Sequence, residues 1–288
     1  ARSLNQVRGV MVVGSTLLLA LSVYLTIDYL ALRQAGATAE MLYTASTVWY
    51  APLNICYSVG VDGISVAMLL LSSIIVFTGT FASWQLKPMT KEYFLWFTLL
   101  SAGVYGFFIS TDLFTMFMFY EVALIPMYLL IGVWGSGQKE YAAMKLTLML
   151  MGGSAFLLIG ILGIFYGAGG DTMNILEIAQ RHIPTEMQRL FFPLIFLGFG
   201  VLGALFPFHT WSPDGHASAP TAVSMLHAGV LMKLGGYGCF RVAMYLMPEG
   251  AEMWGDFFLV LTTISVVYGA FSAVVQTDLK YINAYSSV

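Results

Sequence analysis

The sequence is poor in charge. Only 9% of its 288 residues are Asp, Glu, Lys or Arg, against about 25% in an ordinary soluble domain. So few charged side chains cannot give a chain of this length a water-compatible surface, which excludes a soluble fold and predicts an integral membrane protein. The net charge of −3 comes without any basic cluster, so the composition also excludes a nucleic-acid partner.

Cysteines and common catalytic motifs are equally scarce. The two cysteines, Cys56 and Cys239, are far apart and have no CxxC or histidine spacing around them, so we interpret both as core thiols and expect no metal site. No GxGxxG follows a predicted strand, and we find no Walker motif, haem or iron–sulfur spacing, or nucleophile elbow. We therefore expect no cofactor in this chain, and a protein that moves something without redox or hydrolytic chemistry of its own.

Long apolar runs dominate instead. A helix needs roughly 20 apolar residues to span the hydrocarbon, and eight segments qualify: 9–32, 62–84, 93–110, 112–135, 141–168, 190–208, 219–247 and 254–276. A ninth begins near Tyr281. The long polar connections are 33–61 and 169–189. We predict an all-α, polytopic helical membrane protein in which residues 1–288 form a single transmembrane domain. Because the chain starts at Ala1 rather than Met, we expect a piece of a longer chain.

The distribution of basic residues predicts the orientation, because short cytoplasmic loops are enriched in Lys and Arg. One side of the membrane receives seven of them: Arg2, Arg8, Lys87, Lys91, Lys139, Lys145 and Lys280. The other side receives Arg33, Arg181, Arg189 and Arg241. This bias predicts a cytoplasmic N-terminus for the fragment, in a multi-pass protein of the bacterial inner membrane.

Two charged residues lie deep inside predicted helices. Glu121 is the tenth residue of the 112–135 segment, about 14 Å from its start at 1.5 Å per residue, and Lys233 is near the centre of the 219–247 segment. On insertion scales each costs about 2.5–3.5 kcal/mol, so each requires a partner, a water-filled cavity or a function. One interpretation is an ion pair that locks two helices together. We favour the other, a titrating site, because Pro126 weakens the helix beside Glu121 and several glycines surround Lys233.

A polar stretch, FPFHTWSPDGH (206–216), precedes the helix of Lys233. Its prolines and its Pro-Asp-Gly turn signal predict a helix break at Pro207 and Pro213. Irregular backbone at membrane depth is tolerated only when it is buried in protein or lines a water-filled cavity. The candidates for carrying protons between such a cavity and Lys233 are titratable: His209, His216, His227, Lys145 and Asp214.

Each histidine, taken alone, is more often a satisfied core residue, so the relay is one of two interpretations. His227 and Lys233 are six residues apart, about 240° around an α-helix, and a relay between them needs water or another side chain. Lys145 lies near the start of its helix, where its long side chain can extend to the membrane interface.

Three stretches carry a resemblance to a known family. TDLFTMFMFYEVALIPMYLLIGVWG (111–135), FPFHTWSPDGHASAPTAVSMLHAGVLMKLGGYG (206–238) and QTDLKYINAYSSV (276–288) resemble the antiporter-like membrane subunits of respiratory complex I, in particular the M-type subunit, called subunit 4 in mitochondria. The resemblance covers nearly the whole chain and involves separate motifs in the same order.

The resemblance implies a proton-translocating subunit of a complex I-type NADH–quinone oxidoreductase. The family has fourteen helices with two inverted five-helix repeats, so residues 93–247 would be the first repeat, followed by part of its inverted partner. Glu121 and Lys233 would match the family's interface acid and central lysine. NADH, FMN, iron–sulfur clusters and quinone would be bound by partner subunits, and the other membrane-arm subunits and the lipid bilayer would surround this chain.

One position departs from the family pattern. The family usually has a lysine in the broken helix, five residues before the proline of its PFHTW-like stretch, and here that residue is Leu202. In the family this lysine pairs with the acid that matches Glu121. We therefore expect Glu121 to pair with Lys233 or Lys145, to stay protonated, or to face water. We also expect water or a hydroxyl side chain between Glu121 and Lys233.

Two other functions stay open at this point. Multi-subunit cation/proton antiporters share the fold and similar lysines, although EVALIPMYLLIGVWG (121–135) looks more like the respiratory subunit. The loss of the lysine at Leu202 also makes a structural subunit with one lost half-channel conceivable.

Overall fold

The computed structural model describes residues 3–288. Helices form most of it: α1 (Leu4–Gln34), α2 (Gly63–Ala82), α3 (Thr90–Ile109), α4 (Leu113–Trp134), α5 (Lys139–Gly167), α6 (Ile175–Ala179), α7 (Thr185–Leu202), α8 (Trp211–Ser218), α9 (Thr221–Leu226), α10 (Met232–Gly238), α11 (Pro248–Val275) and α12 (Leu279–Ser287). The predicted all-α membrane fold is confirmed. Of these helices, α1, α2, α3, α4, α5, α7 and α11 are long and apolar enough to cross a membrane.

The predicted 219–247 span is one helical stretch of mixed geometry, which we call the composite helix. It consists of α9, a first π-helix (His227–Leu231), α10 and a second π-helix (Cys239–Met244). In the first π-helix the amide of Met232 donates to the carbonyl of His227, five residues earlier. Such a turn is wider than an α-turn, so the spacing of 240° expected between His227 and Lys233 does not hold across this segment.

The bundle has two ends, which we define by their contacts. At the first end, where α1 begins, the indole of Trp134 donates to the carbonyl of Pro88 (2.9 Å) and the amide of Ser136 to that of Ser218 (2.8 Å). At the second end, the amide of Thr111 donates to the carbonyl of Ser58 (3.0 Å). The helices therefore alternate in direction, as their short connections predict.

The 33–61 connection is more ordered than expected from its composition. Residues Leu42–Tyr50 (β1) and Ile55–Val61 (β2) pair as an antiparallel hairpin at the second end. The hydroxyl of Thr115 donates to the carbonyl of Cys56 (2.9 Å), which fastens the hairpin to the start of α4. The all-α prediction therefore missed one hairpin, because the side chains of β1 are almost all exposed and its sequence lacks the regular apolar–polar alternation that marks a half-buried strand.

The helix predicted at 190–208 is α7 in the structure, and it begins at Thr185 and ends at Leu202, earlier than predicted at both ends. It ends because Ala204 takes a left-handed conformation (φ 57°), while the amides of Ala204 and Leu205 donate to the carbonyls of Val201 and Gly200. This pair of bonds is a Schellman motif, which closes a helix by satisfying its last carbonyls. The break spans 203–210 and contains Pro207, as predicted.

Pro213 does not break the helix, contrary to the prediction. It is the third residue of α8, where the backbone resumes its helical course. The first amides of a helix have no acceptor within it, so proline is tolerated there.

Close backbone contacts hold the break against the composite helix. A Cβ atom on Gly235 would overlap the backbone of Gly203 and Phe199, whereas one on the neighbouring Gly236 would meet nothing within 4 Å. Small residues permit such close approach between membrane helices. The position of Lys233 relative to the end of α7 is therefore set by backbone contact.

Candidate functional site

The broken helix brings an ion pair to the first end of the bundle. The ammonium group of Lys145, on α5, lies 2.7 Å from a carboxylate oxygen of Asp214, on α8. The hydroxyl of Tyr281 on α12 donates to the other carboxylate oxygen at 3.3 Å. Lys145 is thus a partner of Asp214 and not of Glu121, because α5 packs directly on α8.

Two of the predicted histidines form a buried pair next to Asp214. The rings of His216, on α8, and His227, in the first π-helix, have centroids 5.8 Å apart. The indole of Trp211 stacks on His227 at 5.3 Å. The hydroxyl of Ser224 lies 2.5 Å from Nδ1 of His216. Nε2 of His216 and both nitrogens of His227 are buried with no hydrogen-bond partner within the described chain.

His209 lies within the helix break and is not part of that pair. It is 3% exposed, and its ring faces Tyr268 of α11 at 4.8 Å and Phe206 at 5.6 Å. Neither of its ring nitrogens has a hydrogen-bond partner among residues 3–288. The structure therefore places His209 at the contact of the break with α11.

The side chain of Lys233 lines a groove. Its ammonium group donates to the carbonyl of Ala228 (2.7 Å), in the first π-helix. The side chain is exposed in this chain and lines a groove of about 500 Å³ whose walls include Phe199, Gly203 and Leu205. Lys233 is therefore at mid-helix, as predicted, but it is not enclosed by the described residues.

Glu121 has no cationic partner. It lies half-buried in α4, which continues as a helix through Pro126. Its Oε1 atom is buried without a hydrogen bond, and none of the ion pairs in the described part of the chain includes Glu121. Of the three alternatives for Glu121, the structure does not show the pairing with Lys233 or Lys145, since those two ammonium groups bind Ala228 and Asp214.

Leu202 is buried at the last turn of α7, with 1% of its surface exposed. It belongs to the apolar core that also contains Val201 and Leu205. Leu202 therefore contributes no charge to this part of the bundle.

Sequence reasoning missed two features of the site. Ser224, which contacts His216, lies three residues before His227, and that helical spacing is a signal for a shared face. Arg241 was taken as one of the basic residues flanking the membrane, but it is 9% exposed and forms an ion pair with Asp62. Arg241 follows Lys233 by eight residues, and this helical spacing is a signal that the two side chains lie near one face of the helix.

These side chains form a series that α5, α8 and the composite helix contribute together. It runs from Lys145 and Asp214 through His216 and His227 to the π-helix that ends beside Lys233. Such a series can bind and release protons at successive sites. Within residues 3–288, no group of three or more His, Cys, Asp or Glu side chains is arranged to hold a metal ion.

A family model described as the NADH:quinone oxidoreductase/Mrp antiporter transmembrane region matches residues 110–288, more than half of the chain and all of the broken helix. The chain belongs to this family. Its resemblance to the M-type, or subunit 4, members is confirmed by similar curated proteins. One is the NAD(P)H-quinone oxidoreductase chain 4 3 of a Picosynechococcus species, 39% identical over 250 residues, or 86% of this chain and 46% of that protein.

A second relative in this family is the NADH-quinone oxidoreductase subunit M of Rickettsia prowazekii. It is 36% identical over 242 residues, which are 83% of this chain and 49% of the relative. The chain therefore spans about half the length of these relatives.

Solved structures show the same antiporter-like subunit fold. A chain of respiratory complex I from Thermus thermophilus matches with a TM-score of 0.87 and 25% identity, over 97% of this chain and 57% of that one. A chain of the Mrp complex from Dietzia matches with a TM-score of 0.75 and 20% identity, over 99% and 54%, which shows the fold alone.

Proposed function

We propose that this chain is part of a proton-translocating antiporter-like subunit in an NADH–quinone oxidoreductase complex. The observation that carries the proposal is the series of titratable side chains from the Lys145–Asp214 pair through His216 and His227 to Lys233, in which α5, α8 and the composite helix each contribute members within an apolar bundle. The family membership and the names of the relatives support it.

In the proposed mechanism a proton enters at the first end, where Asp214 and Lys145 lie beside a recess of about 480 Å³. It passes to His216 and then to His227, whose ring centroid lies 5.8 Å from that of His216. His227 delivers it across the first π-helix to Lys233. The imidazoles suit this role because a neutral ring can accept a proton on one nitrogen and donate one from the other.

Glu121 acts in this proposal as an acid without a fixed cationic partner. Its unbonded carboxylate oxygen leaves it free to respond to charge on a neighbouring subunit or on Lys233. Redox energy arrives through partner subunits, which bind NADH, FMN, iron–sulfur clusters and quinone, while this chain binds none of them. We place it in a bacterial inner membrane with the first end in the cytoplasm, among the other membrane-arm subunits. Residues 93–247 form the first repeat in this proposal.

The test is Lys233→Ala in the assembled complex, in membrane vesicles. We expect proton pumping and quinone-linked turnover to fall together by at least tenfold, because the central proton carrier is missing. Lys145→Ala is the matched variant, a second lysine of the series that pairs with a carboxylate, and we expect a smaller loss. Unchanged turnover and an unchanged proton-to-electron ratio in the Lys233→Ala complex would contradict the proposal and favour a structural subunit.

A subunit of a multi-subunit cation/proton antiporter is the alternative within the same fold. The two curated relatives described above are both quinone oxidoreductase chains, which favours the respiratory complex. Purification of the complex distinguishes the two, because flavin and iron–sulfur subunits should copurify only with the respiratory one.

A further inference from the structure

The carboxylate of Asp214 is held by side chains from two different helices. Its Oδ2 atom lies 2.7 Å from the ammonium group of Lys145 on α5, and its Oδ1 atom accepts a hydrogen bond from the hydroxyl of Tyr281 on α12 at 3.3 Å. The last torsion of an aspartate side chain has only broad minima, so a carboxylate bound through one oxygen keeps rotational freedom. Contacts to both oxygens therefore fix the plane of this carboxylate group.

The contact between Tyr281 and Asp214 lies at the recess of about 480 Å³ at the first end. Both side chains line this recess, and the connection between α4 and α5 supplies Ser136 and Gln138 as further polar walls. In the proposed mechanism the proton enters here. The hydroxyl of Tyr281 is therefore beside the carboxylate at the point of proton entry.

A different residue fastens α12 to α8. The ammonium group of Lys280 donates to the carbonyls of Ala217 (3.1 Å) and Ala219 (3.4 Å), at the end of α8. Asp278 caps α12 by accepting the amide of Lys280 at 2.8 Å. Neither contact involves the hydroxyl of Tyr281. This hydroxyl can therefore be removed while the contacts that place α12 against α8 remain.

We infer that Tyr281 is a positioning residue for proton uptake, whose hydroxyl holds Asp214 in the orientation that takes up a proton from the recess and releases it toward His216. The proton converts the carboxylate to a carboxylic acid and then leaves toward His216, while Tyr281 keeps its own proton throughout. Orientation matters because a proton is transferred only between groups within hydrogen-bond reach. The inference rests on the proposed function, in which Asp214 is the entry group.

The hydrogen bond from Tyr281 also makes proton uptake depend on pH in a defined direction. A hydroxyl that donates to a carboxylate favours the ionised form. Without it the protonated form is favoured, so the acidic limb of the pumping rate should move to higher pH. The other charged or titratable groups near Asp214 stay in place when this hydroxyl is removed: Lys145 and Tyr141 on α5, Asp278, Lys280 and Tyr285 on α12, His216 on α8 and His227 in the first π-helix.

The experiment measures pumping rate, quinone-linked turnover and the amount of assembled complex in membrane vesicles over a range of pH. We expect Tyr281→Phe to assemble normally and to lower the pumping rate at neutral pH at least threefold. Its acidic limb should move to higher pH by about half a unit, the scale of one lost hydrogen bond to a charged form.

Tyr285→Phe is the matched control, because it removes a hydroxyl from the next turn of the same helix. That hydroxyl forms no hydrogen bond to Asp214 or to any other group within residues 3–288. The Tyr285→Phe complex should keep the pumping rate and the pH profile of the wild type.

An assembled Tyr281→Phe complex with the pumping rate and pH profile of the wild type overturns the inference. A lower rate with an unchanged pH profile, or a loss confined to the amount of assembled complex, overturns it equally, because a purely structural contact between α12 and α8 would produce either result. Asp214→Asn separates this inference from the proposed function. If Asp214→Asn abolishes pumping while Tyr281→Phe pumps normally, only the role of Tyr281 is rejected. If Asp214→Asn pumps normally, the proposed entry through Asp214 is itself wrong.

Discussion

The ammonium groups of Lys145 and Lys233 lie at the same distance from two different kinds of oxygen atom. The ammonium group of Lys145 is 2.7 Å from the carboxylate of Asp214, and that of Lys233 is 2.7 Å from the carbonyl of Ala228. A carboxylate attracts the ammonium form by its charge, but a carbonyl accepts a hydrogen bond from an amine and from an ammonium group alike. In the proposed function, Lys145 therefore serves as a lasting charge at the entrance and Lys233 is the lysine that changes its protonation.

The largest effect should come from moving the backbone that positions Lys233. Gly235→Ala places a Cβ atom into the backbone of Gly203 and Phe199, and overpacking of this kind costs about 1–3 kcal/mol or more. We expect assembled complex in the membrane to fall about tenfold. Gly236→Ala is the control, since its Cβ meets nothing within 4 Å, and it should assemble normally. Equal assembly of the two variants would show that this contact is not essential.

The next largest effects should distinguish the two lysines, because loss of the partner of Lys145 should lower stability and loss of Lys233 should lower activity. Asp214→Asn removes the charge partner of a partly buried Lys145, and we expect a loss of about 2 kcal/mol, the scale of a hydrogen bond to a charged group. Lys233→Met breaks no ion pair, so it should leave the thermal stability of the complex unchanged while it abolishes pumping. Thermal denaturation and pumping, measured on both variants, test this. If Lys233→Met destabilised the complex, Lys233 would also have a structural role, and the two lysines would no longer differ in their contribution to stability.

Glu121 offers a third, smaller test, because it lacks any cation within the described residues. Glu121→Gln keeps the shape of the side chain but cannot ionise, so we expect pumping to fall several-fold. Glu121→Asp keeps the titratable group and should retain more activity. If the amide variant pumps like the wild type, Glu121 serves only to pack α4.

The smallest effect should come from an ion pair outside the membrane. Asp171 binds Arg181 in the 169–184 loop, and the guanidinium group lowers the pKa of that carboxyl group. A lowered pKa in the folded state means stability that is present above the unfolded pKa and lost as pH falls through the folded value. Both side chains are solvated, so Asp171→Asn should leave thermal stability at pH 7 unchanged. If Asp171→Asn lost as much thermal stability as Asp214→Asn, the loss expected at Asp214 could not be attributed to its position on α8.

Most of the fold and part of the site could be predicted because they depend on local composition. The helical spans follow from apolar runs, and the break near Pro207 from its prolines and polar residues. Glu121 and Lys233 stand out by depth alone. The hairpin of β1 and β2 could not be predicted in this way, because nearly every side chain of β1 is exposed and its sequence has no regular apolar–polar alternation. The left-handed residue that ends α7 is Ala204, although glycine is the usual residue at such a position and Gly203 is its neighbour.

The sequence by itself determined that this chain spans a membrane with many helices, that it resembles one family, and which few charged residues lie at depth, because insertion of a charge into hydrocarbon has a high cost wherever the helices pack. Only the tertiary structure decided the partners of those charges. Lys145 pairs with Asp214 and Arg241 with Asp62, while Lys233 and Glu121 have no opposite charge in the described chain. Pairing depends on which helix faces come within about 4 Å of each other, and residues 69 positions apart along the chain, such as Lys145 and Asp214, meet only through the packing of α5 on α8.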